Sequence, residues 1–236
     1  MISLVDYGAG NLTSVRKALT AIDARFWTPS APRELDRAAG IIVPGVGHFS
    51  TTASLDDEWR EAIRAALARG VPLFGICVGL QWLFDGSSEA DGVPGFGVVS
   101  GTCRLLKGNQ PPASEYPPLG ESGPVWEGTE TGSPLLKVPH VGWNSLRFPR
   151  PSRLFSGVPD GTQVYFTHSY AAPLVPASAA VTTHGVAFSS AIEDGLVSGV
   201  QFHPEKSGDA GLRILRNWLE GVHQHQSAPP SGEAHP

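Results

Sequence analysis

Residues 2–5, 40–43 and 71–76 are short apolar runs bounded by turn residues, and between them lie stretches whose apolar side chains recur at helical spacing. Leu12, Val15, Leu19 and Ile22 make one stripe, starting after Asn11, a good helix cap. Trp59, Ile63, Ala66 and Leu67 make another within residues 56–69, with charges between them. Buried strands joined by crossover helices form a parallel sheet. Pro44-Gly45 is expected to end the second strand, because proline cannot donate to a sheet ladder.

From about Val98 the pattern changes to short runs broken by Gly and Pro, with strands predicted at 163–167, 179–183, 186–192 and 197–202. These predict an antiparallel or mixed part. Leu212, Leu215, Trp218 and Leu219 predict a last helix over 209–222. The stretch 108–132, dense in Pro, Gly, Ser, Thr and Glu, is expected to be a surface insertion, and 223–236 a flexible tail. Residues 1–222 then form one α/β domain, with a mostly parallel sheet flanked by helices and an antiparallel portion in the C-terminal half.

At 41% hydrophobic and 17% charged the chain can build a core. Its formal charge of −5 offers no cationic footprint for nucleic acid or an anionic membrane. The apolar stretch 70–84 contains Pro72 and is shorter than the about 20 residues that a membrane helix needs. Two cysteines, Cys77 and Cys103, are too few for a disulfide framework, and the start lacks a signal-peptide pattern. A reducing, cytoplasmic compartment is expected, with Cys103 structural.

Three segments could carry chemistry. Gly75-Ile76-Cys77-Val78-Gly79 lies where a strand gives way to a helix; a G-x-nucleophile-x-G turn there strains its central residue and exposes it. The N–H of Val78 is then available to an oxyanion, and the helix dipole favours a thiolate. A buried, inert cysteine fits the same segment. In Gln201-Phe202-His203-Pro204-Glu205-Lys206, extended chain would project His203 and Glu205 to one side, a base with its orienting carboxylate. Pro44-Gly45-Val46-Gly47-His48 offers backbone donors unobstructed by side chains, while His48 fits a capping role better than a catalytic one. His223 and His225 sit in polar sequence, so no metal site is expected there.

Together and in this order the segments resemble the class I glutamine amidotransferases, a flavodoxin-like family whose triad runs Cys, then His and Glu two residues apart. Within it, Asp6-Tyr7-Gly8-Ala9-Gly10-Asn11-Leu12, Pro44-Gly45-Val46-Gly47, Val138-Pro139-His140-Val141-Gly142-Trp143-Asn144 and Tyr165-Phe166-Thr167-His168-Ser169-Tyr170 look like the glutaminase subunits of imidazole glycerol phosphate synthases. The resemblance implies a Cys77-His203-Glu205 triad and an oxyanion hole at Gly47 and Val78. It implies L-glutamine held by Gly45, Gln81, Glu89, His168, Ser169 and Tyr170. It also implies a (β/α)₈ cyclase docked on Pro139, His140, Val141, Gly142, Trp143, Asn144 and Lys206, and no cofactor. A stand-alone cysteine hydrolase of the same architecture and a non-catalytic regulatory subunit are the competing readings; the docking-type motifs oppose the first, the complete triad opposes the second.

Overall fold

The structure, a computed structural model, describes residues 1–9, 12–106 and 137–227. The expected cap at Asn11, the insertion at 108–132 and residues 228–236 lie outside the described residues.

The N-terminal half contains β1 (Ile2–Leu4), α1 (Leu12–Ala21), β2 (Phe26–Trp27), β3 (Gly40–Gly45), α2 (Asp57–Ala68), β4 (Leu73–Cys77) and α3 (Val78–Trp82). Every residue of β1, β3 and β4 is buried, which is why they read as continuous apolar runs rather than alternating ones. In α2 the Asp56 side chain accepts from Trp59 N at 3.1 Å, Asp57 and Glu58 sit at the positive end, and Ile63 and Ala66 are buried.

The remainder contributes β5 (Gly86–Ser87), β6 (Thr102–Leu105), β7 (His140–Ser145), β8 (Gln163–His168), β9 (Tyr170–Ala171), β10 (Ser178–His184), β11 (Val186–Asp194), β12 (Val197–Val200) and α4 (Gly208–Ser227). Among the described residues one seven-stranded sheet runs β10-β11-β12-β4-β3-β1-β2. The strands from β12 to β2 are parallel, and β11 and β10 add an antiparallel edge. β7 and β8 form a separate antiparallel pair. Ile214, Leu215, Trp218 and Val222 of α4 are buried, with Trp218 5.3 Å from the Phe74 ring of β4. Each such side chain contributes about 1.5–3 kcal/mol of burial.

Pro44 does not end β3. Ile42 turns its carbonyl to Val5 N on the β1 side, so Pro44, two residues on, faces that side too. β1 pairing stops at Leu4↔Ile42, so no ladder bond is demanded of the proline, while Pro44↔Ile76 and Gly45↔Cys77 continue against β4. The last helix also exceeds its apolar pattern: α4 passes Val222 and runs to Ser227, with His225 Nδ1 2.8 Å from Gly221 O. The two-residue strands β2, β5 and β9 carry no periodicity that a sequence can display.

β4 and β12 are parallel neighbours in register Val200↔Ile76. Their carboxyl ends open on one edge of the sheet, where open α/β sheets hold ligands.

Candidate active site

Cys77 ends β4 and precedes α3 with φ 54° and ψ −107°, a left-handed conformation costing a non-glycine residue about 1–3 kcal/mol. The turn exists because its flanks are glycines. A Cβ at Gly75 would lie 2.6 Å from Gly79 C, and one at Gly79 would collide with Val43 O of β3. α3 is only five residues long, so its dipole is small and the nearest source of positive charge is a side chain.

That side chain is His203, which is buried. Its backbone N–H donates to Tyr165 O of β8 at 2.9 Å, and Ser207 Oγ binds both His203 O and Tyr165 N, so the segment after β12 is anchored to β8. His203 Nδ1 and Glu205 Oε1 are 2.8 Å apart, with both side chains buried. Their proximity does not come from strand alternation: residues 204–206 form a 3-10 turn that folds Glu205 back beneath the imidazole. Nε2, on the far side of the ring, makes no hydrogen bond, and the ring lies close enough to Cys77 for the sulfur to act on its charge. Burial opposes charge on His203, but Cys77 and Glu205 outweigh it and raise the pKa to about 10. A nucleophile, a base and an orienting carboxylate therefore meet in one place, an arrangement competent for acyl transfer.

A cavity of about 120 Å³ opens over the sulfur, lined by Val46, Gly47, Cys77, Val78, Gln81, Glu89, Thr167, His168 and Ser169. Gly47 (φ 95°) turns the chain at its rim, and Val78 begins α3, where N–H groups have no acceptor within the helix. Glu89 Oε2 accepts from Phe49 N at 2.9 Å, which fixes the carboxylate at the wall. Gly45 lies behind, paired with Cys77, and Tyr170 presents its carbonyl to Gln81 Nε2 at 2.8 Å. His48 caps the 3-10 turn that follows it by accepting from Ser50 N. Cys103 is fully buried, its thiol held well above the usual range by burial and then by Glu89. A larger open groove of about 890 Å³ near Arg150 and Glu193 lies elsewhere. There the Arg150 guanidinium is spent on the Ser178, Ala177 and Glu193 carbonyls.

The segment 139–144 divides by strand alternation. Val141 and Trp143 of β7 are 56% and 57% exposed, so neither is core. Trp143 stands edge-on to Tyr165 at 6.1 Å, and Lys206 Nζ lies 5.7 Å from the Tyr165 ring centre. His140, by contrast, is buried and faces inward, so the expectation that it presents itself to a partner is corrected. His168 Nδ1–H donates to Tyr170 O, leaving Nε2 to accept from His140 Nδ1–H at 3.0 Å; Asn144 Nδ2 then donates to His140 Nε2 at 3.2 Å. Both rings are therefore neutral. Burial, and then His184, hold His140 at a pKa of about 4. Burial leads again at His168, at about 3, partly offset by the Tyr170 carbonyl and reinforced by His140, His184 and His203.

This pair sets a pH dependence. An unfolded chain takes up protons on both rings below about pH 6.5 while the folded one does not, so the pair's contribution to stability is complete above that pH and is lost on acidification toward pH 4. Denaturant midpoints measured from pH 7.5 to 4.5 should fall, and His140→Gln should flatten the fall by about one proton. Equal slopes for the two chains would contradict neutral burial of His140.

Two features escaped the sequence reading. Gln201 is fully buried, with Nε2 3.7 Å from Cys77 Sγ. Its signal was a polar residue inside an apolar run, two positions before His203. Tyr7 is also buried beside Cys77, its phenol held neutral by burial and then by the sulfur's charge. No helix among the described residues is long and apolar enough to cross a membrane.

Comparison with known proteins gives the same family from several directions. A profile of the family glutamine amidotransferase class-I matches residues 3–222. The chain is 41% identical to the imidazole glycerol phosphate synthase subunit HisH of Moorella thermoacetica, covering 94% of this chain and 95% of that protein. It is 40% identical to the HisH subunit of Geobacillus kaustophilus, covering 93% and 96%. A crystal structure of a glutamine amidotransferase superposes with a TM-score of 0.66 over 94% of this chain and 100% of that one, at 16% identity, a likeness of fold.

Proposed function

The chain belongs to the glutamine amidotransferase class-I family, and from that premise we propose that it is the glutaminase subunit of an imidazole glycerol phosphate synthase. It hydrolyses L-glutamine to glutamate and ammonia and delivers the ammonia to a (β/α)₈ cyclase that forms imidazole glycerol phosphate and AICAR. The observation that carries the reading is the convergence of Cys77, His203 and Glu205 at one sheet edge in a chain that matches HisH subunits nearly end to end.

The chemistry follows from the positions. The Cys77 sulfur adds to the side-chain amide carbon of glutamine; the carbonyl oxygen takes up negative charge between the N–H groups of Val78 and Gly47. The imidazolium of His203 gives its proton to the departing nitrogen, so ammonia leaves and a thioester remains. His203, now neutral, takes a proton from water; the resulting hydroxyl attacks the thioester, and glutamate departs as the thiolate returns. Glu205 holds the ring in orientation and balances its charge in each imidazolium state. Gln81, Glu89, His168 and Ser169 line the space the substrate fills, with Gly45 and the Tyr170 carbonyl supporting them from behind. The test is release of glutamate from glutamine by the chain with its cyclase, and its loss on alkylation of Cys77 by a glutamine-like electrophile.

Val141, Trp143 and Lys206 form the docking face, beside the mouth of the cavity, with Asn144 holding the strand from inside. An exposed tryptophan at a site of association is a strong anchor. Trp143→Ala should weaken binding to the cyclase about 30-fold, an anchor's worth of roughly 2 kcal/mol, and leave the thermal midpoint nearly unchanged. Calorimetric titration giving the same dissociation constant for both chains would place the cyclase elsewhere.

A further inference from the structure

One polar residue beside the nucleophile has no part in the scheme above. Gln201 continues from β12, its backbone N–H donating to Ser190 O at 2.9 Å, and its side chain is enclosed between Cys77 and Gln81. The amide has one orientation that satisfies both neighbours. Oε1 accepts from Gln81 Nε2 at 3.2 Å, which leaves Nε2 to donate to Cys77 Sγ at 3.7 Å, a normal distance for a sulfur acceptor.

The orientation propagates to Gln81. Its Nε2 carries two hydrogens, and the Tyr170 carbonyl and Gln201 Oε1 take both. Gln81 Oε1 is thereby left buried without a partner, on a residue that is 2% exposed and lines the cavity. A buried acceptor left empty is unfavourable, and this one belongs to a cavity-lining residue, where a donor on the substrate can reach it. Glutamine brings N–H groups.

We infer that Gln201 is a positioning residue with two duties: it donates a hydrogen bond to the Cys77 sulfur, and it sets the Gln81 amide so that an acceptor, not a donor, faces the substrate. This rests on the glutaminase reading for the second duty and on geometry alone for the first.

Two substitutions separate the duties. Gln201→Glu keeps an oxygen for Gln81 but removes the N–H and brings a carboxylate to the sulfur. Gln201→Met, of similar length, removes both. Alkylation of Cys77 by iodoacetamide, followed against pH with the adduct located by mass spectrometry, should shift its midpoint upward by about one pH unit in each variant. With the cyclase bound, KM for glutamine should rise about tenfold in Gln201→Met and much less in Gln201→Glu, as only the former frees the Gln81 amide to turn. Unshifted alkylation profiles in folded variants would overturn the first duty, and equal KM effects the second.

A measurement on the unaltered chain covers the case in which the variants fail to fold. The side-chain amide resonance of Gln201 should move with pH in step with the Cys77 sulfur and shift on alkylation; an amide indifferent to both overturns the contact. If the wild-type chain with its cyclase releases no glutamate, the glutaminase reading fails, while the alkylation and resonance results still decide whether Gln201 serves the sulfur.

Discussion

Cys77→Ala should lower glutamine hydrolysis by at least about 10⁴-fold, while the complex with the cyclase still makes imidazole glycerol phosphate from added ammonia. The split follows from where the sulfur sits. It is the only atom at the head of the cavity that can form the thioester, since the other cysteine, Cys103, is fully buried with its Sγ 3.8 Å from Gln81 O. Removing the sulfur leaves the exposed Val141 and Trp143 and the Lys206 side chain untouched, so docking and the partner's chemistry continue. The alanine also relieves nothing, since φ 54° is as unfavourable for it as for cysteine. Parallel assays with glutamine and with ammonium salts check the prediction. Loss of both activities together would mean that the substitution breaks the assembly, not the nucleophile.

Gly79→Ala should cost about 3 kcal/mol or more and lower the thermal midpoint by roughly 10 °C, a larger effect than almost any surface change in this chain. The added methyl would overlap Val43 O, a backbone atom of a central strand that β1 and β4 hold from both sides. Nothing flexible can give way. The comparison is Gly221→Ala in α4, where a Cβ meets nothing within 4 Å and alanine's better helix propensity should leave stability equal or higher by about 0.5–1 kcal/mol. Thermal and urea denaturation of both variants would check the pair. Similar midpoints would show that the elbow tolerates a side chain and that its glycines serve another purpose.

The buried strands β1, β3 and β4 and the amphipathic helix α2 were legible because burial on both faces, or on one stripe, writes itself directly into composition and period. Pro44 misled because a missing N–H matters only if a neighbour asks for it, and whether β1 reaches that far is a fact of pairing. The end of α4 misled because a helix can continue on its own backbone hydrogen bonds after its apolar face is complete. His140 was read as outward for want of its inward partners, His168 and Asn144, of which only Asn144 is near in sequence.

The chain order alone determined the chemistry on offer: a cysteine between glycines at a strand end, a histidine with a carboxylate two residues on, and small residues wherever backbones must touch. Periodicity and steric exclusion are local properties, so a sequence records them. Only the tertiary structure decided that β12 lies beside β4 in the register Val200↔Ile76, which brings His203 to Cys77, and that Gln201 falls between the sulfur and Gln81. Those meetings depend on which strand finds which neighbour across more than a hundred residues. That choice is made by the packing of the whole sheet, and no single segment carries a record of it.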